Sequence, residues 1–148
     1  MADPGYQEFN HTADAGLRIH GDSPKSLFIN AARGMFSLLL PPENRGLVLG
    51  HSAGEPVEFP ITVRAPDLTL LLREWLGELL YLHSTERVYF TDFSIDSLED
   101  ARLAGRVVGR RFNPYLESRL TEIKAVTYHG LQVTREKDGY HATVIFDI

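Results

Sequence analysis

The stretch Thr134 to Ile148 reads TREKDGYHATVIFDI, and it sits at the end of a chain of 148 residues. Asp138-Gly139 lies between two alternating runs, Ile123 to Thr134 and Tyr140 to Ile148. Asp-Gly in that setting is a strong hairpin signal, because both residues tolerate the positive φ that tight hairpin turns need. With Asp138-Gly139 at the centre of a two-residue turn, Lys137 faces Tyr140, Asp147 falls opposite Gly130 and Ile148 opposite His129. The α-carboxylate of Ile148 is then held beside the Asp147 side chain instead of moving on a free tail. Two close anions repel unless one is protonated or a cation binds between them.

Working outward from this hairpin, the chain alternates strands with two clear helices. Tyr6 to Phe9 and Leu17 to His20 read as short strands on either side of His11-Thr12-Ala13-Asp14-Ala15-Gly16. Ser23 is a good N-cap followed by Pro24, after which Leu27, Phe28, Ala31, Ala32, Met35, Phe36 and Leu39 repeat at helical spacing. This stripe is the face a helix turns toward a core. Pro41-Pro42 ends it, since proline has no backbone donor and restricts the residue before it. Val57, Phe59, Ile61 and Val63 alternate with polar residues as a strand, and Pro60 places that strand at a sheet edge. A second helix is expected from about Pro66; its segment LTLLLREWLGELLYL (Leu68 to Leu82) is apolar on more than one face and belongs deep in the fold. Arg87 to Phe93 and Leu103 to Val108 read as strands separated by an acidic turn at Asp96 to Asp100. These elements predict a single α+β domain over residues 1–148, a largely antiparallel sheet with two main helices and a C-terminal β-hairpin.

Composition narrows the function. The chain is 43% hydrophobic and 24% charged, the usual balance of a globular domain able to bury a core without disulfides or a structural metal. With no cysteine, zinc fingers, iron–sulfur clusters and thiol nucleophiles are excluded. Neither a secretion signal nor an apolar run long enough to cross a bilayer is present, so no membrane association and a cytoplasmic location are expected. The formal charge is −5, from 20 acidic and 15 basic residues, and Arg106 to Arg111 (RVVGRR) has no aromatic platform beside it. Direct nucleic-acid binding is not expected.

The opening polar knot supplies a third carboxylate. If Asp14 joins Asp147 and the chain end, three hard oxygen donors converge, a set that suits calcium or magnesium better than zinc. The plainer reading has Asp14 capping a turn and Asp147 at a solvated strand end. His20, His51, His83 and His141 show no metal-ligand spacing and read as surface or satisfied polar residues.

Four ordered segments carry a resemblance. HTADAG (His11 to Gly16), DSPKSLFINAARGMF (Asp22 to Phe36), REWLGELLYL (Arg73 to Leu82) and EIKAVTYHGLQV (Glu122 to Val133) followed by VIFDI (Val144 to Ile148) resemble the archease family nearly end to end. Ala15 and Leu17 depart from the family's bulkier residues after HTAD, a packing change that leaves Asp14 in place. The resemblance implies a metal site formed by Asp14, Asp147 and Ile148, with His11 and Thr12 orienting the loop and His129 in a supporting position. It also links Lys124 to function. On an extended strand, Lys124 would lie about 20 Å from the metal end, which makes it a candidate partner contact; Tyr128 reads as a sheet-packing residue.

The family resemblance further implies an accessory protein, not an enzyme. Its partner is the RtcB-type RNA ligase, which joins 2′,3′-cyclic phosphate or 3′-phosphate RNA ends to 5′-hydroxyl ends through a guanylylated histidine. Promotion of that guanylylation and of repeated turnover, in tRNA splicing or RNA repair, is the expected role. The alternative is a metal-dependent hydrolase built on Asp14 and Asp147, with His11 or His129 as base. A binding module with a purely structural metal is the third reading.

Overall fold

The computed structural model describes residues 3–11, 14–46 and 54–148. In chain order the elements are β1 (Tyr6–His11), β2 (Asp14–Gly21), α1 (Pro24–Leu39), a 3-10 turn (Pro42–Asn44), β3 (Pro56–Arg64), α2 (Leu68–Glu86), β4 (Val88–Glu99), β5 (Arg102–Arg111), α3 (Pro114–Glu117), β6 (Ala125–Val126), β7 (Gln132–Glu136) and β8 (Gly139–Asp147). They form two antiparallel sheets. One has the order β1-β2-β8-β6, with β7 also paired to β8; the other has the order β3-β5-β4. The expected α+β class with two main helices is borne out.

Helix α1 begins where its cap dictates. Ser23 Oγ accepts from the Ser26 backbone N–H while the Ser26 hydroxyl accepts from the Ser23 N–H, a reciprocal cap over the first turn. Its predicted stripe is the core face: Leu27, Phe28, Ala31, Ala32 and Met35 are fully buried. Helix α2 starts one residue after its own cap, Asp67, whose carboxylate accepts from the Leu70 N–H at 2.9 Å. Pro66 therefore precedes the helix instead of opening it. Trp75, fully buried, donates its indole N–H to the Phe28 carbonyl at 2.9 Å and ties the two helices together. Burying such a side chain contributes about 3–5 kcal/mol, judged from the cost of truncating it.

In the second sheet β3 is an edge, paired only with β5, and Pro60 sits opposite Arg106 as edge placement requires. The acidic segment is not a turn. Strand β4 runs through Asp96 to Glu99, and the reversal falls at Asp100-Ala101. Burial explains this: Phe93 is buried, and Ile95 and Leu98 pack against the core, while Asp96 faces solvent and pairs with Arg106 at 3.4 Å. Two register irregularities in β4 lie beside Gly109 and Gly105 of β5. A Cβ at those glycines would stand 2.2 Å from the Tyr89 carbonyl oxygen and 2.3 Å from that of Ser94, so only glycine admits the bulged strand this closely.

The C-terminal hairpin forms, but not in the predicted register. Glu136 pairs with Gly139, so Lys137-Asp138 is the connection, and Gly139 begins β8 at φ +126°. The run Ile123 to Thr134 is also broken in two. Continuing the β7 register would set Tyr128 opposite Asp147; instead the chain turns, with Gly130 at φ +63° and the Leu131 N–H on the Tyr128 carbonyl, and Ala125 takes that place in β6. Neither Gly130 nor His129 therefore faces the end of β8.

Candidate functional site

Strand β8 runs between β2 on one side and β6 and β7 on the other, and its end is where the candidate residues meet. Asp14, the first residue of β2, is the cross-strand partner of Asp147, the last residue of β8. Directly opposed residues of an antiparallel pair project to the same face with Cβ atoms about 4.5–5.5 Å apart. The two carboxylates are therefore neighbours, Asp14 half-buried and Asp147 exposed. Ile148 follows immediately and is 43% exposed.

Lys124 joins them. Its backbone N–H donates to the Asp147 carbonyl at 2.7 Å, and Ala125 pairs with Asp147. The expected separation of about 20 Å assumed one continuous strand; the turn at Thr127 to Leu131 removes it and brings Lys124 to the carboxylate end. That same turn displaces His129, which is exposed, with its N–H on the Thr127 hydroxyl at 3.2 Å. Tyr128 is not a sheet-packing residue: it is 59% exposed and the Arg73 guanidinium lies over its ring at 4.4 Å. His11 pairs through its backbone with Asp14 at the start of the ladder; its side chain and Thr12 lie outside the described residues, as does His51.

The remaining histidines divide clearly. His83 is buried between the edges of Phe36 and Phe112, with Nδ1 2.8 Å from the Val88 carbonyl, and burial lowers its pKa. His20 and His141 face each other across β2 and β8 with ring centroids 6.2 Å apart. His141 Nε2 lies 2.8 Å from Asp138 Oδ1 and 3.6 Å from Glu136 Oε2. Among the described residues Glu136, Asp138 and His141 are the one group of three side-chain ligands close enough to share an ion. Spacing within one strand concealed them, since the Lys137-Asp138 turn folds Glu136 back beside His141. The hydrogen bond from His141 holds the Asp138 carboxyl below its usual range; in Asp3 the Gly5 N–H does the same, aided by His20.

Beside the carboxylate end, a groove of about 490 Å³ runs between α2 and the β6 segment, lined by Arg73, Glu78, Tyr81 and Lys124 among others. The Asp14–Asp147 end thus presents anionic oxygens at the end of two paired inner strands, next to an open surface. Such an end can hold a cation or face a basic partner.

Comparison with known proteins agrees with this layout. Residues 6–148 match the description of the archease protein family (MTH1598/TM1083). The protein named archease from Methanosarcina barkeri is 33% identical over 147 residues, covering 97% of this chain and 95% of that one. The solution structure of Methanobacterium thermoautotrophicum protein 1598 superposes with a TM-score of 0.72 at 33% identity, covering 99% of this chain and all of that one. The crystal structure of an archease described as a possible chaperone, from Thermotoga maritima, shares the fold at a TM-score of 0.60 and 20% identity, over 96% of each chain. With a match that runs from the first strand to the last residue, this chain belongs to the archease family.

Proposed function

We propose that this archease is a metal-binding accessory protein of an RtcB-type RNA ligase, promoting guanylylation of the ligase and its repeated turnover in tRNA splicing or RNA repair. The observation that carries the reading is the pairing of Asp14 with Asp147 at the end of β8, beside Ile148 and Lys124. The donor set fits a hard divalent cation: two carboxylates and the main-chain oxygens of Ile148, with no cysteine thiolate in the chain. Calcium or magnesium commonly takes six or more oxygens, so these residues leave positions for water or for groups of the partner. When bound, the ion supplies positive charge that neutralises the paired carboxylates and can polarise an oxygen of the partner or its nucleotide.

The chain's own residues do the rest. Asp14 and Asp147 fix the position of negative charge because each sits in a paired strand, not a loop. Lys124, anchored by its backbone to Asp147, is a cationic contact at the rim. A formal charge of −5 favours a basic protein surface over RNA as the docking partner. The turn at Thr127 to Leu131 carries His129, one of the two bases named for the hydrolase reading, away from the end of β8, so that reading gains no support from it.

The test is RNA joining by limiting ligase with substrate in large excess. Wild-type protein should convert a stalled single turnover into many, and Asp14→Ala should not. Full stimulation by Asp14→Ala at limiting metal would overturn the role given to the carboxylate end.

A further inference from the structure

The start of β8, at the other end of the strand from Asp147, gathers a second set of ligating side chains. Asp147 lies six residues beyond His141, about 20 Å along an extended strand, so the two sets are separate. His141 Nε2 is 2.8 Å from Asp138 Oδ1 and 3.6 Å from Glu136 Oε2, and the three ligand atoms all lie within 4.8 Å of one another. Donors bonded to a zinc-type ion at about 2.0–2.2 Å stand roughly 3.0–3.6 Å apart. These atoms are therefore already near the separations that a single ion imposes.

The backbone fixes the arrangement. Thr134 pairs with His141 and Glu136 with Gly139, so Glu136 and His141 project from one face of the β7–β8 ladder, and the Lys137-Asp138 connection brings Asp138 beside them. Gly139 holds that connection against β2: a Cβ there would stand 2.5 Å from the Gly21 carbonyl oxygen, and its φ of +126° is one that glycine adopts readily. The set is carried by paired strands and a pinned turn, which is what a preformed site needs.

Charge points to a cation. Among the described residues, His141 is the one basic group within ion-pair distance of Glu136 or Asp138, and Lys137 pairs with neither. Arg135 projects to the opposite face of β7, its guanidinium over the Tyr140 ring at 5.7 Å. Arg18 shares the face but lies over the Phe9 ring at 4.4 Å. Two carboxylates thus converge on one imidazole with no Lys or Arg to balance them. The imidazole also decides the class of ion. The Asp14–Asp147 end offers oxygen alone, whereas a neutral imidazole with two carboxylates suits zinc, nickel or copper(II). A second imidazole stands beside the first: His20 is the cross-strand partner of His141, and its Nε2 is held 2.9 Å from Asp3 Oδ2. Both histidines line an open concavity of about 340 Å³, which gives a hydrated ion access.

We propose that Glu136, Asp138 and His141 form a second divalent-cation site, of the zinc class, with water completing the coordination shell. An ion held there cross-links β7, the turn and β8 at the end of the hairpin remote from Asp147. The proposal is independent of the role given to the Asp14–Asp147 end, and either can fail without the other.

The experiment titrates metal-free protein with zinc chloride by calorimetry, in the Asp147→Asn background so that the other carboxylate pair is disabled. One zinc ion should bind. Adding His141→Gln or Asp138→Asn should weaken it about tenfold or more, since loss of a supporting residue alone commonly costs about 10–100-fold. Melting curves in chelator confirm that the variants stay folded, and amide NMR spectra of wild type locate the ion, which should shift Glu136 to His141 and the facing His20. Failure to bind zinc, equal binding with and without His141→Gln, or zinc shifts confined to residues outside Glu136 to His141 would each overturn the proposal.

Discussion

Replacing Asp147 with asparagine should stabilise the metal-free protein and destabilise the metal-bound one relative to wild type. In the free protein Asp14 and Asp147 are directly opposed in the β2–β8 ladder, so two unit charges about 5 Å apart repel by about 0.8 kcal/mol in a water-like dielectric, and by about half of that at physiological salt. Asparagine keeps the backbone ladder and the side-chain shape and removes the repulsion. For a chain of this size each kcal/mol moves Tm by about 2–4 °C, so Asp147→Asn should melt about 2 °C above wild type in chelator at low salt. Calcium at a hundred times its dissociation constant adds about 2.7 kcal/mol to wild type, or roughly 5–10 °C. The variant, with one ligand charge gone, should gain far less, and the order of the two melting curves should reverse. Scanning calorimetry with and without calcium or magnesium reads this directly. A variant that melts below wild type in chelator, or that gains as much as wild type from the ion, would refute the placement of a cation between these carboxylates.

Other perturbations test the frame that holds the site. His83 has a folded-state pKa below its unfolded value, because burial disfavours its charged form. Its neutral burial is therefore without effect above about pH 6.5 and becomes destabilising as pH falls below that, by at most about 1 kcal/mol per pH unit; urea melts at pH 7.5 and 5.5 should show this extra loss in wild type and not in His83→Gln. Trp75→Phe should cost about 1–3 kcal/mol in denaturant melts, since it leaves the buried Phe28 carbonyl without its donor at 2.9 Å. Gly109→Ala should cost about 1–3 kcal/mol or more, because the added Cβ meets the Tyr89 carbonyl at 2.2 Å and the β4–β5 ladder has to give way.

What the sequence discloses and what it conceals have separate physical causes. The helix stripes, the Ser23 cap and the edge position of Pro60 are local, so periodicity and backbone chemistry reveal them. The break in the run Ile123 to Thr134 is also local, yet alternation hides it: apolar residues on both sides of the turn keep a period near two, and Gly130 at positive φ is the signal that marks it. Missing that turn moves Lys124 from the carboxylate end to the far side of the hairpin. The Asp14–Asp147 contact is of another kind. It depends on β2 pairing with β8, a contact between the two ends of the chain, and no local pattern specifies which strands become neighbours. Resemblance to a family supplies that information where periodicity does not. The groove beside α2 is hidden for the same reason, since its walls come from segments distant in sequence.

Guanylylation itself reads what the Asp14–Asp147 end does to the ligase. Purified RtcB-type ligase, labelled GTP and a divalent ion are incubated with wild-type protein or Asp147→Asn, and the covalent ligase–guanylate is counted before any RNA is added. Wild type should raise the rate of label transfer to the ligase, and the variant, though folded, should not. Equal labelling with wild type, with the variant and with no added protein would contradict it.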